Sequence, residues 1–170
     1  QLLTLNPDNS TKALLLSDQA SFLVDSDQDL FAGEGKQHPA NEALKIVEKC
    51  LKEHPKSAAA CLAHNLKQRI LHKELNILGE QEALPNRVVP VLISYKNLQK
   101  IHLNIYKLTK TEIEHFKNHN DSLPEKLAAL KPICASEIKL PDFFDHQLHT
   151  LHYEAKPLES GLYLMAFSTK

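Results

Sequence analysis

The chain has 170 residues, 42% of them hydrophobic and 24% charged, with 20 basic side chains against 21 acidic ones. That balance excludes a wholly disordered chain and one held to nucleic acid by its phosphates alone. No run of about 18 apolar residues is present to span a bilayer. Three cysteines are too few for a disulfide scaffold, and four glycines leave no phosphate-cradling loop.

The N-terminal stretch "QLLTLNPDNSTKALLLSD" has no Met and no charged n-region, so it does not read as a signal peptide. It reads as a cut inside a longer chain, as does the ending "GLYLMAFSTK". A first helix is expected over 11–24, capped by Ser10 or Asn9. The polar stretch "DSDQDLFAGEGKQHP" after it reads as a loop or a frayed helix end. There Asp25, Asp27 and Asp29 mimic the first three ligands of a calcium loop. Leu30 stands where the turn glycine belongs, however, and Lys36 where a bidentate glutamate belongs.

The clearest helix is "NEALKIVEKCLKEHP", about 41–54. Ala43, Leu44, Val47, Cys50 and Leu51 recur at three- and four-residue steps and make one apolar stripe. Pro55 ends it, and Ser57 can cap the next helix, "AAACLAHNLKQRILHKEL". Its expected inner face is Cys61, Leu62, Leu66 and Ile70. So short a turn sets the two helices antiparallel. Cys50 and Cys61 flank that turn almost symmetrically, which leaves two readings: a disulfide in an oxidising compartment, or two packed thiols. Helix is expected to continue to about residue 78.

The apolar period changes from Val88. "VVPVLISY" and "QKIHLNIYKL" alternate, and with a turn at Lys96–Asn97 they read as a β-hairpin. Ile101, Leu103 and Ile105 share one face; His102, Asn104 and Tyr106 share the other. A short helix capped by Thr111 follows in "TKTEIEHFKNH", then a loop containing "DSLPEKLAALKP". Three more strands are expected in "ICASEIKL", "LHTLHYEAKPL" and "GLYLMAFST". Helices first and five strands after indicate an α+β chain: antiparallel helices over 1–84, then an antiparallel β-sandwich over 85–170.

Chemistry finds little purchase. "LGEQ", Leu78 to Gln81, resembles the C-G-E-Q thioester motif, but Leu78 has no sulfur to acylate. His115 and His119 would share a helix face, with Glu112 in reach, yet no H-E-x-x-H is present. His146, His149 and His152 lie three apart, and on a strand His149 points away from the other two. Cys134 has no marked base nearby, and no G-x-S-x-G elbow exists. Asn9 and Asn120 begin glycosylation triplets of a kind frequent by chance. No catalytic, cofactor-binding or metal-binding residue is assigned, and no enzyme activity, cofactor, nucleic acid or small-molecule substrate is expected.

Two resemblances add to this reading. Ala43, Val47, Cys50, Leu51 and Pro55 fall at the spacings of the second helix of a tetratricopeptide-type repeat. "LPNRVVPVLISYKNLQKIHLNIYKL" resembles the first macroglobulin-like domain of bacterial α2-macroglobulin-family proteins, especially those of Bacteroidetes. "YEAKPLESGLYLMAFSTK" is similar to a closing element of the same domain, carried by Leu158, Gly161, Tyr163, Leu164 and Ala166. The resemblance implies a macroglobulin-like, immunoglobulin-type sandwich after a helical segment. It implies a non-catalytic structural module of an exported, periplasmic or outer-membrane-anchored protein that binds or inhibits proteases. Its partners would be the downstream domains of the parent chain and, through the full-length protein, proteases. Two other readings stand beside it: an interaction adaptor using a groove between the helices, and a metal- or sugar-binding accessory domain.

Overall fold

The computed structural model describes residues 9–26, 38–118, 127 and 130–169. Among them are four helices, α1 (Asn9–Ser26), α2 (Pro39–Glu53), α3 (Ala58–Leu71) and α4 (Lys110–Asn118). Six strands accompany them: β1 (Glu74–Gly79), β2 (Val89–Lys96), β3 (Lys100–Leu108), β4 (Cys134–Lys139), β5 (His149–Ala155) and β6 (Leu162–Ser168). The chain is α+β and divides into two compact units, one of residues 1–73 with 143–147, the other of 74–142 with 148–170. None of the described helices is long and apolar enough to cross a membrane.

The helical unit forms because three apolar stripes face one another. Ala13, Leu16 and Ala20 of α1, Ala43, Val47 and Cys50 of α2, and Ala59, Ala63, Leu66 and Ile70 of α3 make one buried cluster. Half of these are alanines, so the helices meet through small side chains. Pro39 opens α2, where its missing N–H costs nothing. Ser57 caps α3 as expected, accepting the Ala60 N–H at 3.2 Å. The inner face of α3 differs from the expected one: Cys61 and Leu62 are exposed, and Ala59, Ala60 and Ala63 take their place. All three cysteines are free, and Cys50 directs its thiol to the Ala13 carbonyl. Helix α1 already begins at Asn9, so its cap position lies outside the described residues.

Residues 143–147 belong to this unit. Phe144 (φ 53°) and His146 (φ 57°) are both left-handed and flank Asp145, which is buried and accepts the Gln147 N–H at 3.0 Å. Asn41 Nδ2 donates to the Phe144 carbonyl at 2.7 Å.

The β unit contains two three-stranded antiparallel sheets, ordered β1-β2-β5 and β4-β3-β6. Val91, Ile93 and Tyr95 of the first sheet and Ile101, Leu103, Ile105 and Ile138 of the second join one buried cluster. Fully burying each such aliphatic side chain is worth about 1.5–3 kcal/mol. Tyr95 also donates its hydroxyl to the Pro141 carbonyl at 2.8 Å.

Two expectations fail here. The pair "VVPVLISY" and "QKIHLNIYKL" is not a hairpin: β2 and β3 belong to different sheets and share no ladder. Asn97 does adopt the left-handed turn conformation (φ 54°), but the next residue, Leu98, is buried in the core. A buried leucine at the corner carries the chain from one sheet to the other, and the Gln99 carbonyl is taken by the Leu140 N–H at 2.8 Å. Helix also stops at Leu71, well short of residue 78; Glu74–Gly79 is a sixth strand, paired with β2 from Glu74↔Lys96 to Gly79↔Val91.

Helix α4 starts two residues earlier than a cap at Thr111 would place it. Thr109, not Thr111, is its cap: Thr109 Oγ1 accepts the Glu112 N–H at 3.3 Å, and Glu112 Oε2 accepts the Thr109 N–H at 2.7 Å. That reciprocal pair is a capping box written T-x-x-E in the sequence.

Candidate functional site

The β unit has one flank where its core stays accessible. On β1, Leu75 and Ile77 point toward the cluster but are only half-buried. On β6, Tyr163, Met165 and Phe167 do the same. Both strands are sheet edges, so neither has a further neighbour among the described residues to cover these side chains. An open cleft of about 990 Å³ results.

Its walls follow from the ends of the two edge strands. Ile77, Val91, Met165 and Phe167 form the apolar floor; the loop 80–87 and the turn 158–161 supply the rim. The Asn86 N–H donates to the Leu158 carbonyl at 2.7 Å and ties these two segments together. Asn86 itself is left-handed (φ 59°), a conformation asparagine tolerates better than most residues. Gly161 packs closely on Tyr163: a Cβ there would stand 3.1 Å from Tyr163 Cε2, and the ring would have to give by a few tenths of an ångström. Lys107 Nζ lies 6.0 Å from the centroid of the Tyr163 ring, at the outer limit of cation–π attraction.

The rim is acidic. Glu80, Glu82 and Glu159 line it, with Arg87 as the single basic lining residue among those described. No histidine or cysteine lines it among the described residues. An apolar floor between two strand edges suits an extended ligand.

The sequence motifs are dispersed. Gly79, Glu80 and Gln81 of "LGEQ" line the cleft, and Leu78 is exposed at the end of β1. His149 is half-buried with its ring 5.9 Å from that of Tyr95, whereas His152 on the opposite face is exposed and His146 lies off the strand. Cys134 is partly buried against the core. Asp25 pairs with Arg69 at 2.7 Å; Asp27, Asp29, Leu30 and Lys36 lie outside the described residues, as do His119 and the His115 side chain. No group of three possible metal ligands occurs among the described residues.

Sequence reasoning missed the cleft because half of it rests on β1. "ELNILG" followed a long helix and was absorbed into it. The alternation of Leu75, Ile77 and Gly79 was the available signal. Comparison with protein-family models, with curated proteins and with solved structures returns no match.

Proposed function

We propose that the chain is a non-catalytic structural module of a larger, exported α2-macroglobulin-like protein, a protein class that binds or inhibits proteases. In this reading the β unit is the macroglobulin-like sandwich. The helical unit is a tetratricopeptide-like segment before it. The partners are the further domains of the parent chain and, through the whole protein, proteases.

The observation that carries the reading is the strand order. With β1 to β6 taken as A, B, C, C′, E and F, the sheets β1-β2-β5 and β4-β3-β6 read A-B-E and C′-C-F. That is the order of an immunoglobulin-type sandwich without its last strand. Tyr163 resting on Gly161 supports it further, because both belong to the "LESGLYLMAF" element that carries the resemblance.

Tagging the gene at its native locus and fractionating the cells tests the proposal. The expected product sits in the periplasm or outer membrane and is several times longer than 170 residues. A cytoplasmic product of this size, without further β-domains, overturns it.

A further inference from the structure

The outward side of α2 carries a line of one charge. Lys45, Lys49 and Lys52 fall at i, i+4 and i+7, within about 60° of one another around the helix axis. Ala43, Val47 and Cys50 are buried on the opposite side. Lys56 follows in the turn before α3. All four lysines are exposed, and none is held in an ion pair among the described residues. Of the glutamates on this helix, Glu48 is taken by Lys67 of α3 at 2.9 Å, and Glu42 and Glu53 sit off to one side of the stripe.

A second feature adjoins the stripe. Asn41 lies one turn before Lys45 on the same side of α2, and its Nδ2 donates to the Phe144 carbonyl at 2.7 Å. That bond holds the 143–147 loop at the N-terminal end of the stripe. Phe143 is 58% exposed and Phe144 73%. Phe144 is also left-handed (φ 53°), a costly conformation for a bulky residue. The loop thus keeps two aromatic rings in water beside a row of lysines.

We propose that this face of the helical unit, from Phe143 and Phe144 along α2 to Lys56, rests on an anionic lipid surface. The lysines draw the unit to the headgroups, and the phenylalanines enter the boundary with the acyl chains. Binding at such a surface combines buried apolar area with charge attraction, and this face supplies both. The shape also favours a bilayer. The stripe runs along the convex side of one helix, not along a groove between two. A flat anionic surface meets the whole line at once, whereas a single helix ridge gives an acidic peptide no pockets for its side chains. The inference rests on the helical unit alone and stands or falls separately from the family reading.

The test uses the 170-residue chain and vesicles of phosphatidylcholine, with or without about 30% phosphatidylglycerol. The chain has no tryptophan, so Phe144→Trp supplies a single reporter. Sedimentation reads binding, and the reporter's emission reads insertion. The expected result is binding to the anionic vesicles alone, a blue shift of the reporter there, and release on raising salt from about 0.05 to about 0.5 M. Lys45→Gln, Lys49→Gln and Lys52→Gln together should weaken binding about tenfold. The same charge removed at Lys131, Lys139 and Lys156, all exposed on the β unit, should leave it nearly unchanged. Phe143→Ser with Phe144→Asn should also weaken it about tenfold; asparagine accepts the left-handed backbone. Circular dichroism checks that each variant is folded. Absence of binding to anionic vesicles overturns the proposal, as does a reporter that stays in water on them. Equal loss from the two sets of lysines overturns it too, because net charge alone is then at work. A polyglutamate peptide that binds the stripe while vesicles do not also overturns it, because an acidic protein is then the partner.

Discussion

Thr109 and Glu112 satisfy each other's exposed groups at the start of α4. The Glu112 carboxylate accepts both the backbone N–H and the hydroxyl of Thr109 at 2.7 Å, while the Thr109 hydroxyl oxygen accepts the Glu112 N–H at 3.3 Å. Thr109→Ala should cost about 1 kcal/mol, and Thr109→Ser should restore most of it. Urea denaturation measures the loss. Faster amide exchange within Lys110–Asn118 locates it.

The same contact predicts a pH dependence. The Thr109 N–H and hydroxyl hold the Glu112 carboxyl below its ordinary 4.5, and Lys100, whose ammonium bonds Glu137 at 2.8 Å, lowers the Glu137 carboxyl likewise. A depressed folded-state value means the unfolded chain binds protons first as the pH falls. The stabilisation is therefore complete above 4.5 and is lost as the pH drops through the folded values. Glu112→Gln and Glu137→Gln should each flatten the acid limb of a stability-against-pH curve. An unchanged limb in both variants would contradict the assignment.

Gly161→Ala should destabilise the β unit by about 1 kcal/mol. The new methyl would stand 3.1 Å from the Tyr163 ring, which packs half-buried against the core and would have to shift by a few tenths of an ångström. The penalty should shrink when Tyr163 is replaced by leucine, and a double-mutant cycle measures that coupling.

The helical faces separate two classes of substitution. Ile70→Ala removes a buried side chain and should cost about 2–4 kcal/mol. Leu62→Ser, at a position 52% exposed, should be nearly neutral.

Native thiol labelling should modify Cys61 at once and Cys50 only on unfolding. Burial, with Glu53 nearby, raises the Cys50 thiol above its ordinary 9.0. Its contribution to stability is complete below that value and falls as the pH climbs past it. Three free thiols under non-reducing denaturation should be counted; two missing ones would mean a bridge the fold does not show.

Spacing made α1, α2 and the cap at Ser57 legible, because period and capping chemistry are local. The phase of β3 was legible for the same reason: Ile101, Leu103 and Ile105 all face the core. Partner choice was not. A period of two says which side chains point inward but not which strand lies alongside, so β2 and β3 looked like a hairpin. The inner face of α3 was misread because apolar bulk drew attention to Leu62, while the close helix contacts select Ala59 and Ala63. The cleft escaped the sequence because β1, which carries half of it, reads as the end of a helix.

The crossing at Asn97–Gln99 has a kinetic consequence. Consecutive strands that never hydrogen-bond cannot zip from their shared turn. β2 must wait for β5, and β3 must wait for β4 and β6, each across a long stretch of chain. Among the described strands only β1 and β2 can pair after closing a short loop. Loop closure before reward slows folding, so the first stable ladder falls to β1, and a nascent chain must keep Ile101, Leu103 and Ile105 from wrong partners until the later strands arrive.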